Sequence, residues 1–220
     1  MEEIFEKIGN CGVVPVAVLR DAGQACPLAD ALCEGGLPCA EVTFRTEAAP
    51  EAIRLMRQHR PDMLVGAGTV VTEAQLSQVL EAGAQFIVSP GFDGGIVDRC
   101  LELGIPVFPG CMTPSDLMQA VRHGLKVVKF FPAQPAGGLA MLRALAAPFP
   151  GLRFMPTGGI GPDNLAEYLR FDKILACGGS WMVKSSLAEE GRFEEIRRLA
   201  REAADVAASV RGGKNGERRE

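Results

Sequence analysis

The chain has 220 residues, 47% hydrophobic and 23% charged, which makes one good-sized globular domain or at most two small ones and excludes global disorder. A formal charge of −4 supplies no attraction to nucleic acid or to an anionic membrane, and with aromatics at 6% no base-stacking platform is expected. The seven cysteines are odd in number and none stand at CxxC spacing, so reduced thiols in a cytosolic setting are expected rather than disulfides or zinc.

The acidic start, Met1-Glu2-Glu3-Ile4-Phe5, lacks the basic and then apolar pattern of a secretory signal, and no apolar run is long enough to span a membrane. Residues 2–9 read as a short helix. The first strand-like run, Val13 to Leu19, contains Pro15, which weakens it as a strand. It leads into Arg20-Asp21-Ala22-Gly23, which does not match a GxGxxG dinucleotide loop. The second run, Cys39 to Phe44, is followed by Arg45, and a strand period of two puts Glu41, Thr43 and Arg45 on one face against Val42 and Phe44 on the other. A buried Glu–Arg pair at a strand end is the structural account of that face. Burying two charges is seldom favourable for stability alone, so a functional use is the better account.

A helix over 51–59 follows, with Ile53, Leu55 and Met56 on one face. The third run, Met63 to Ala67, opens into Gly66-Ala67-Gly68-Thr69, where Thr69 could donate to a substrate oxygen or the small residues could simply pack closely. Thr72 starts a helix over 73–81 with Leu76, Val79 and Leu80 together, and Gly83 ends it. Runs Phe86 to Ser89 and Val107 to Pro109 come next, with Gly104 and Gly124 as helix stops and Thr113-Pro114 as a helix start. His59 and His123 fall at helix ends, where the dipole favours them, and no metal site can be assembled from this inventory.

The sixth run, Val127 to Phe130, holds Lys129 among apolar neighbours that continue into Phe131 and Pro132. A lysine at a strand end can snorkel to solvent. Enclosed by Val and Phe, it instead loses solvation of its charged form, which favours the neutral amine that attacks a carbonyl to form a Schiff base. The seventh run, Arg153 to Pro156, exits into Thr157-Gly158-Gly159-Ile160, and Pro162-Asp163 begins a helix. The eighth, Ile174 to Cys177, exits into Gly178-Gly179-Ser180. Glycines let backbone N–H groups approach an anion, and the exits of strands seven and eight are the usual phosphate position of a (β/α)8 barrel. Residues 212–220 are polar and Gly-rich and read as a disordered tail.

Eight strand-like runs, each trailed by a helical pattern, predict parallel strands with crossovers. A single (β/α)8 TIM barrel over 1–211 with a short N-terminal helix is the expected fold, with an open doubly wound sheet as the alternative.

With these residues in hand, the sequence resembles the 2-keto-3-deoxy-6-phosphogluconate aldolase and 4-hydroxy-2-oxoglutarate aldolase family. Two stretches carry the likeness: Gly36-Leu37-Pro38-Cys39-Ala40-Glu41-Val42-Thr43-Phe44-Arg45, and Gly124-Leu125-Lys126-Val127-Val128-Lys129-Phe130-Phe131-Pro132-Ala133 continuing to Gly137. Val14-Pro15-Val16, Gly66-Ala67-Gly68-Thr69, Ser89-Pro90-Gly91, Pro156-Thr157-Gly158-Gly159-Ile160 and Gly178-Gly179-Ser180-Trp181 support it. The resemblance implies Lys129 as Schiff-base lysine and Glu41 as general acid/base. It implies Arg45 and Thr69 at the substrate carboxylate, Pro90 lining the pyruvate pocket, and Thr157, Gly158, Gly159, Gly179 and Ser180 at the far end with its phosphate. It also implies a cytoplasmic, metal-free and cofactor-free lyase of the Entner-Doudoroff route, typically a homotrimer. Its partners would be 2-keto acids and aldehydes, with no nucleic acid and no membrane. Two other readings stay open on the residues alone: a phosphate-binding barrel isomerase or synthase acting on a sugar phosphate, which has no need for Lys129, and a non-catalytic sensor of phosphorylated sugars.

Overall fold

The computed structural model describes residues 1–217. Helix α1 (Glu2–Cys11) precedes a strand–helix alternation: β1 (Val13–Ala17), α2 (Ala25–Glu34), β2 (Cys39–Thr43), α3 (Ala49–His59), β3 (Leu64–Gly68), α4 (Glu73–Glu81), β4 (Ile87–Val88) and α5 (Gly94–Glu102). It continues through β5 (Val107–Phe108), α6 (Pro114–Arg122), β6 (Val127–Phe130), α7 (Gly138–Ala146), β7 (Arg153–Pro156), α8 (Pro162–Arg170) and β8 (Cys177–Gly179), and ends in α9 (Ser185–Glu189) and α10 (Phe193–Glu217). All strand pairs are parallel, as the crossover helices require.

The ladder is not one continuous ring. β5-β4-β3-β2-β1-β8 form a six-stranded curled sheet and β6-β7 a two-stranded one. Single bridges Gly110↔Lys129, Phe154↔Ile174 and Thr157↔Gly178 lie at the two seams. The eighth strand also sits later than its apolar run. Ile174 bridges β7, while Cys177, Gly178 and Gly179 pair with Val13, Val14 and Pro15 of β1. Pro15 is accommodated there as a full strand member.

Alternation along the strands divides the interior in two. Ala40, Val42, Val65, Ala67, Ile87, Val107, Val128, Phe130 and Phe154 pack outward on the helices. Val14, Cys39, Leu64, Phe86, Val88, Phe108, Val127 and Met155 pack on the concave side, where Phe5 and Ile8 of α1 join them. Phe108 meets Phe5 and Phe86 edge-on at centroid distances of 5.6 and 5.9 Å, so α1 plugs an aromatic floor.

The helix ends follow local chemistry. The Thr72 hydroxyl accepts from the Gln75 N–H at 3.2 Å, and Thr113 and Asp116 form a reciprocal capping box before α6. Gly83, Gly104 and Gly124 take positive φ just beyond their helices. The apolar face expected on α3 is buried at Ile53 and Met56 and half-buried at Leu55. α10 lays Ile196, Ala200, Ala203 and Ala207 against α2, α8 and β1, one stripe at helical spacing. α10 runs to Glu217, into the span 212–220 that the sequence marks as a polar tail. Residues 218–220 of that expectation lie outside the described residues.

Candidate active site

The C-terminal ends of β2 and β6 bring together two groups that are 88 residues apart in sequence. Glu41 and Lys129 both face the concave side, above the aromatic floor, and the Lys129 Nζ donates to Glu41 Oε1 at 3.3 Å. Their side chains are only 1% and 7% exposed, so neither snorkels to water. The partner anticipated for Glu41 within its own strand was Arg45, but β2 ends at Thr43 and a turn at 44–45 carries Arg45 out to the exposed rim. The period-two argument fails there because the strand has already stopped. Thr43 is buried and spends its hydroxyl on the Ala17 carbonyl at 3.0 Å, tying β2 to β1.

Glu41 fits because Gly68 stands opposite. A Cβ at position 68 would overlap the Glu41 carboxylate, so only glycine leaves that space. The other carboxylate oxygen, Oε2, is buried with no hydrogen-bond partner. A buried ion pair of this kind pays desolvation that its Coulomb attraction seldom repays, and an unpartnered carboxylate oxygen raises the cost. The pair therefore has no rationale as a fold-stabilising device. It places an amine and a carboxylate in proton-transfer contact in a site sealed from below by Phe86 and Phe108.

The Phe131 ring lies 5.3 Å from Lys129 Nζ and walls the amine on one side. The same residue lines a cavity of about 450 Å³, together with Arg45, Thr157, Gly158, Gly159, Gly179, Ser180 and Lys184 among others, while Lys129 and Glu41 themselves are not in its lining. Six of the residues singled out in the sequence thus line one cavity. Thr157 is buried with its Oγ1 unpartnered, and Gly178 gives it room. Gly158 and Gly159 hold positive φ, and Asn164 Nδ2 donates to the Gly159 carbonyl at 3.0 Å, fixing that turn.

Thr69 stands next to the rim arginine: its Oγ1 accepts from Arg45 Nε at a long 3.4 Å, and its φ of 59° makes it the one non-glycine in the left-handed region among the described residues. Pro90 does not line the cavity. It lies on the neighbouring strand exit, where the Ser89 hydroxyl donates to the Gly91 carbonyl at 2.8 Å and Gly110, bridged to Lys129, packs against the Pro90 carbonyl. Sequence reasoning took Phe131 only as an apolar neighbour of Lys129 and missed its place in the cavity wall, because β6 ends at Phe130 and alternation does not carry past it. It also missed Lys184, which carries no local signal.

A family model described as "KDPG and KHG aldolase" matches residues 4–199. The chain is 47% identical over 206 residues to the 2-dehydro-3-deoxy-phosphogluconate aldolase of Treponema pallidum, covering 94% of this chain and 98% of that one. Among solved structures, it matches the 2-keto-3-deoxy-6-phosphogluconate aldolase of Zymomonas mobilis, crystallised with 3-phosphoglycerate, at TM-score 0.87 and 40% identity, covering 93% of this chain and 96% of that one. A KDPG aldolase from Legionella pneumophila, with pyruvate captured as a covalent carbinolamine, matches at TM-score 0.86 and 38% identity, covering 90% and 96%.

Proposed function

The chain belongs to the KDPG and KHG aldolase family, and from that premise we propose that it is a carbon–carbon lyase that reversibly cleaves 2-keto-3-deoxy-6-phosphogluconate to pyruvate and glyceraldehyde 3-phosphate through a Schiff base on Lys129. The observation that carries the reading is the buried Lys129–Glu41 contact at the strand ends, beside a cavity lined by cations and glycines. The covalent pyruvate adduct named for the Legionella relative supports the same chemistry here.

In the proposed cycle Lys129 gives its ammonium proton to Glu41 and attacks the C2 ketone as the neutral amine, forming a carbinolamine. Glu41 returns the proton to the C2 hydroxyl, water leaves and an iminium remains. The Glu41 carboxylate then takes the C4 hydroxyl proton, the C3–C4 bond breaks, and its electron pair flows into the iminium to give an enamine. The aldehyde departs. Protonation at C3 and addition of water to C2 release pyruvate and regenerate the amine. Arg45 and Thr69 hold the keto-acid carboxylate, with Pro90 at the edge of the pyruvate pocket. Thr157, Gly158, Gly159, Gly179 and Ser180 hold the phosphate. 4-Hydroxy-2-oxoglutarate, whose far end is a carboxylate, is the second substrate of this reading.

The finer architecture belongs to the same proposal. The single bridges at the two seams support closure of the eight strands into one barrel spanning 1–211. Exposed Met118 and Val121 on α6, with Met112 and Val71 exposed on neighbouring strand exits, support assembly as a homotrimer. Among the described residues no helix is long and apolar enough to cross a membrane. A cytoplasmic place in the Entner-Doudoroff route completes the reading. A substrate panel tests the function: turnover of the phosphorylated six-carbon acid is expected, and a folded protein that cleaves neither substrate would overturn it.

A further inference from the structure

The cavity beside Lys129 has two cations in its wall and, among the described residues, no carboxylate. One is Arg45, whose Nε donates to the Thr69 hydroxyl at 3.4 Å. The other is Lys184, which follows β8 by a few residues, in the segment that also contributes Ser180, Val183 and Ser185 to the lining. Lys184 is exposed and has no ion-pair partner among the described residues. The acids nearest to it in sequence are committed elsewhere, Glu189 to Arg20 and Glu190 to Arg192, both at 3.3 Å. A second observation points to a ligand in this cavity: the Thr157 Oγ1, on a residue only 7% exposed, lines it with its hydrogen-bonding capacity unused.

We propose that Lys184 is a specificity-determining residue whose ammonium closes on the far, dianionic end of the substrate and selects phosphorylated over unphosphorylated 2-keto acids. This deepens, and rests on, the aldolase reading given above. The paired glycines and Ser180 offer neutral donors, which favour a phosphate through hydrogen bonding but bring no net positive charge to meet its dianion. A free ammonium at the cavity wall adds a term that grows with the charge on the ligand. Lysine suits this position because its flexible stem lets a point charge follow a rotating phosphate, without the fixed fork of an arginine. Arg45, on the turn after β2, is the cation that the proposed function gives to the keto-acid carboxylate, so the two cations divide the substrate between its carboxylate and its phosphate.

The test compares the full-length protein with Lys184→Met and Lys184→Arg on 2-keto-3-deoxy-6-phosphogluconate and on its unphosphorylated counterpart. The expected result is a KM for the phosphorylated acid about tenfold higher in Lys184→Met, with kcat little changed, the scale of one charge-assisted contact at a solvent-open site. The ratio of kcat/KM between the two substrates falls by the same factor, and Lys184→Arg recovers most of it. Calorimetric titration with inorganic phosphate reads the same contact without turnover, and about tenfold weaker binding to Lys184→Met is expected. Equal loss on both substrates, or an unchanged phosphate affinity, would overturn the proposal. If the wild type cleaves neither substrate the aldolase reading falls, and the phosphate titration still decides the role of Lys184.

Discussion

Replacing Gly68 by alanine tests whether the placement of Glu41 matters more than its presence. A Cβ at position 68 would stand 2.6 Å from both Cδ and Cγ of Glu41. Carbons in contact prefer about 3.5–4.0 Å, so the side chain must retreat by about 1 Å. It has little freedom to do so, since Oε1 is tied to Lys129 at 3.3 Å and the carboxylate is buried. Misplacing a catalytic group by about 1 Å can cost about 100-fold in rate, and that loss in kcat/KM is expected here. Overpacking of this kind destabilises by about 1–3 kcal/mol, which lowers Tm by about 2–12 °C for a chain of this size. The assay is steady-state cleavage coupled to pyruvate detection, with calorimetry on the same samples. Gly151→Ala serves as the control: like Gly68 it lies outside the left-handed region, and a Cβ there meets nothing, so it adds the same methyl without crowding the site. Wild-type kcat/KM in a folded Gly68→Ala protein would refute the claim that Glu41 geometry sets the rate.

Lys129→Arg keeps the charge and cannot form an imine, so turnover collapses to background in the same coupled assay. Glu41→Gln slows turnover by about 10²–10⁴ while a borohydride-trapped pyruvate adduct still forms to some degree, and undiminished turnover would remove Glu41 from the acid/base role. Chemical denaturation of the pair Lys129→Met with Glu41→Leu is expected to give stability equal to or above wild type by about 1–4 kcal/mol, whereas Glu41→Leu alone is destabilised. A double variant much less stable than wild type would make the ion pair structural. Asp116 titrates low in the folded state: partial burial opposes its charge, and the N–H groups of Met112 and Thr113 with the Thr113 hydroxyl outweigh that. Its contribution is full above the unfolded carboxyl range near about 3.9 and is lost as pH falls through the lower folded value. Asp116→Ala therefore costs about 1 kcal/mol in denaturation at pH 7, with the difference shrinking in acid. Burial pushes the Cys100 and Cys111 thiols up to about 12, while contact with Cys39 holds the half-buried Cys11 below the ordinary thiol range. Iodoacetamide on the native protein should reach Cys11 before Cys100 or Cys111, as read by peptide mass spectrometry.

Much of the fold was legible because burial and period coincide. β6 and β7 fall on their apolar runs residue for residue, and α4 occupies the span that its apolar spacing marks out. β8 was displaced because its hydrogen-bonding residues include Gly178 and Gly179, which carry no strand preference and are recruited by pairing with β1. Glycines at 212 and 213 argue locally against helix, while α10, anchored upstream by Ile196, Ala200, Ala203 and Ala207, runs to Glu217. At the site, Glu41 and Lys129 each stood out as a charge in an apolar run, but no spacing rule joins residues 88 apart. Only the way the curled six-stranded sheet faces the β6–β7 pair brings them into contact. Arg45 shows the converse limit, since alternation cannot be carried past the last residue of a strand whose end the sequence leaves unmarked.

The central claim is that Lys129 forms the covalent link to substrate. Incubation with pyruvate, reduction with borohydride and peptide mass spectrometry test it directly. The account predicts a single pyruvate-derived adduct on the peptide containing Lys129, absent from Lys129→Arg. A folded wild-type protein that gives no adduct, or one that carries it on another lysine, would contradict the account.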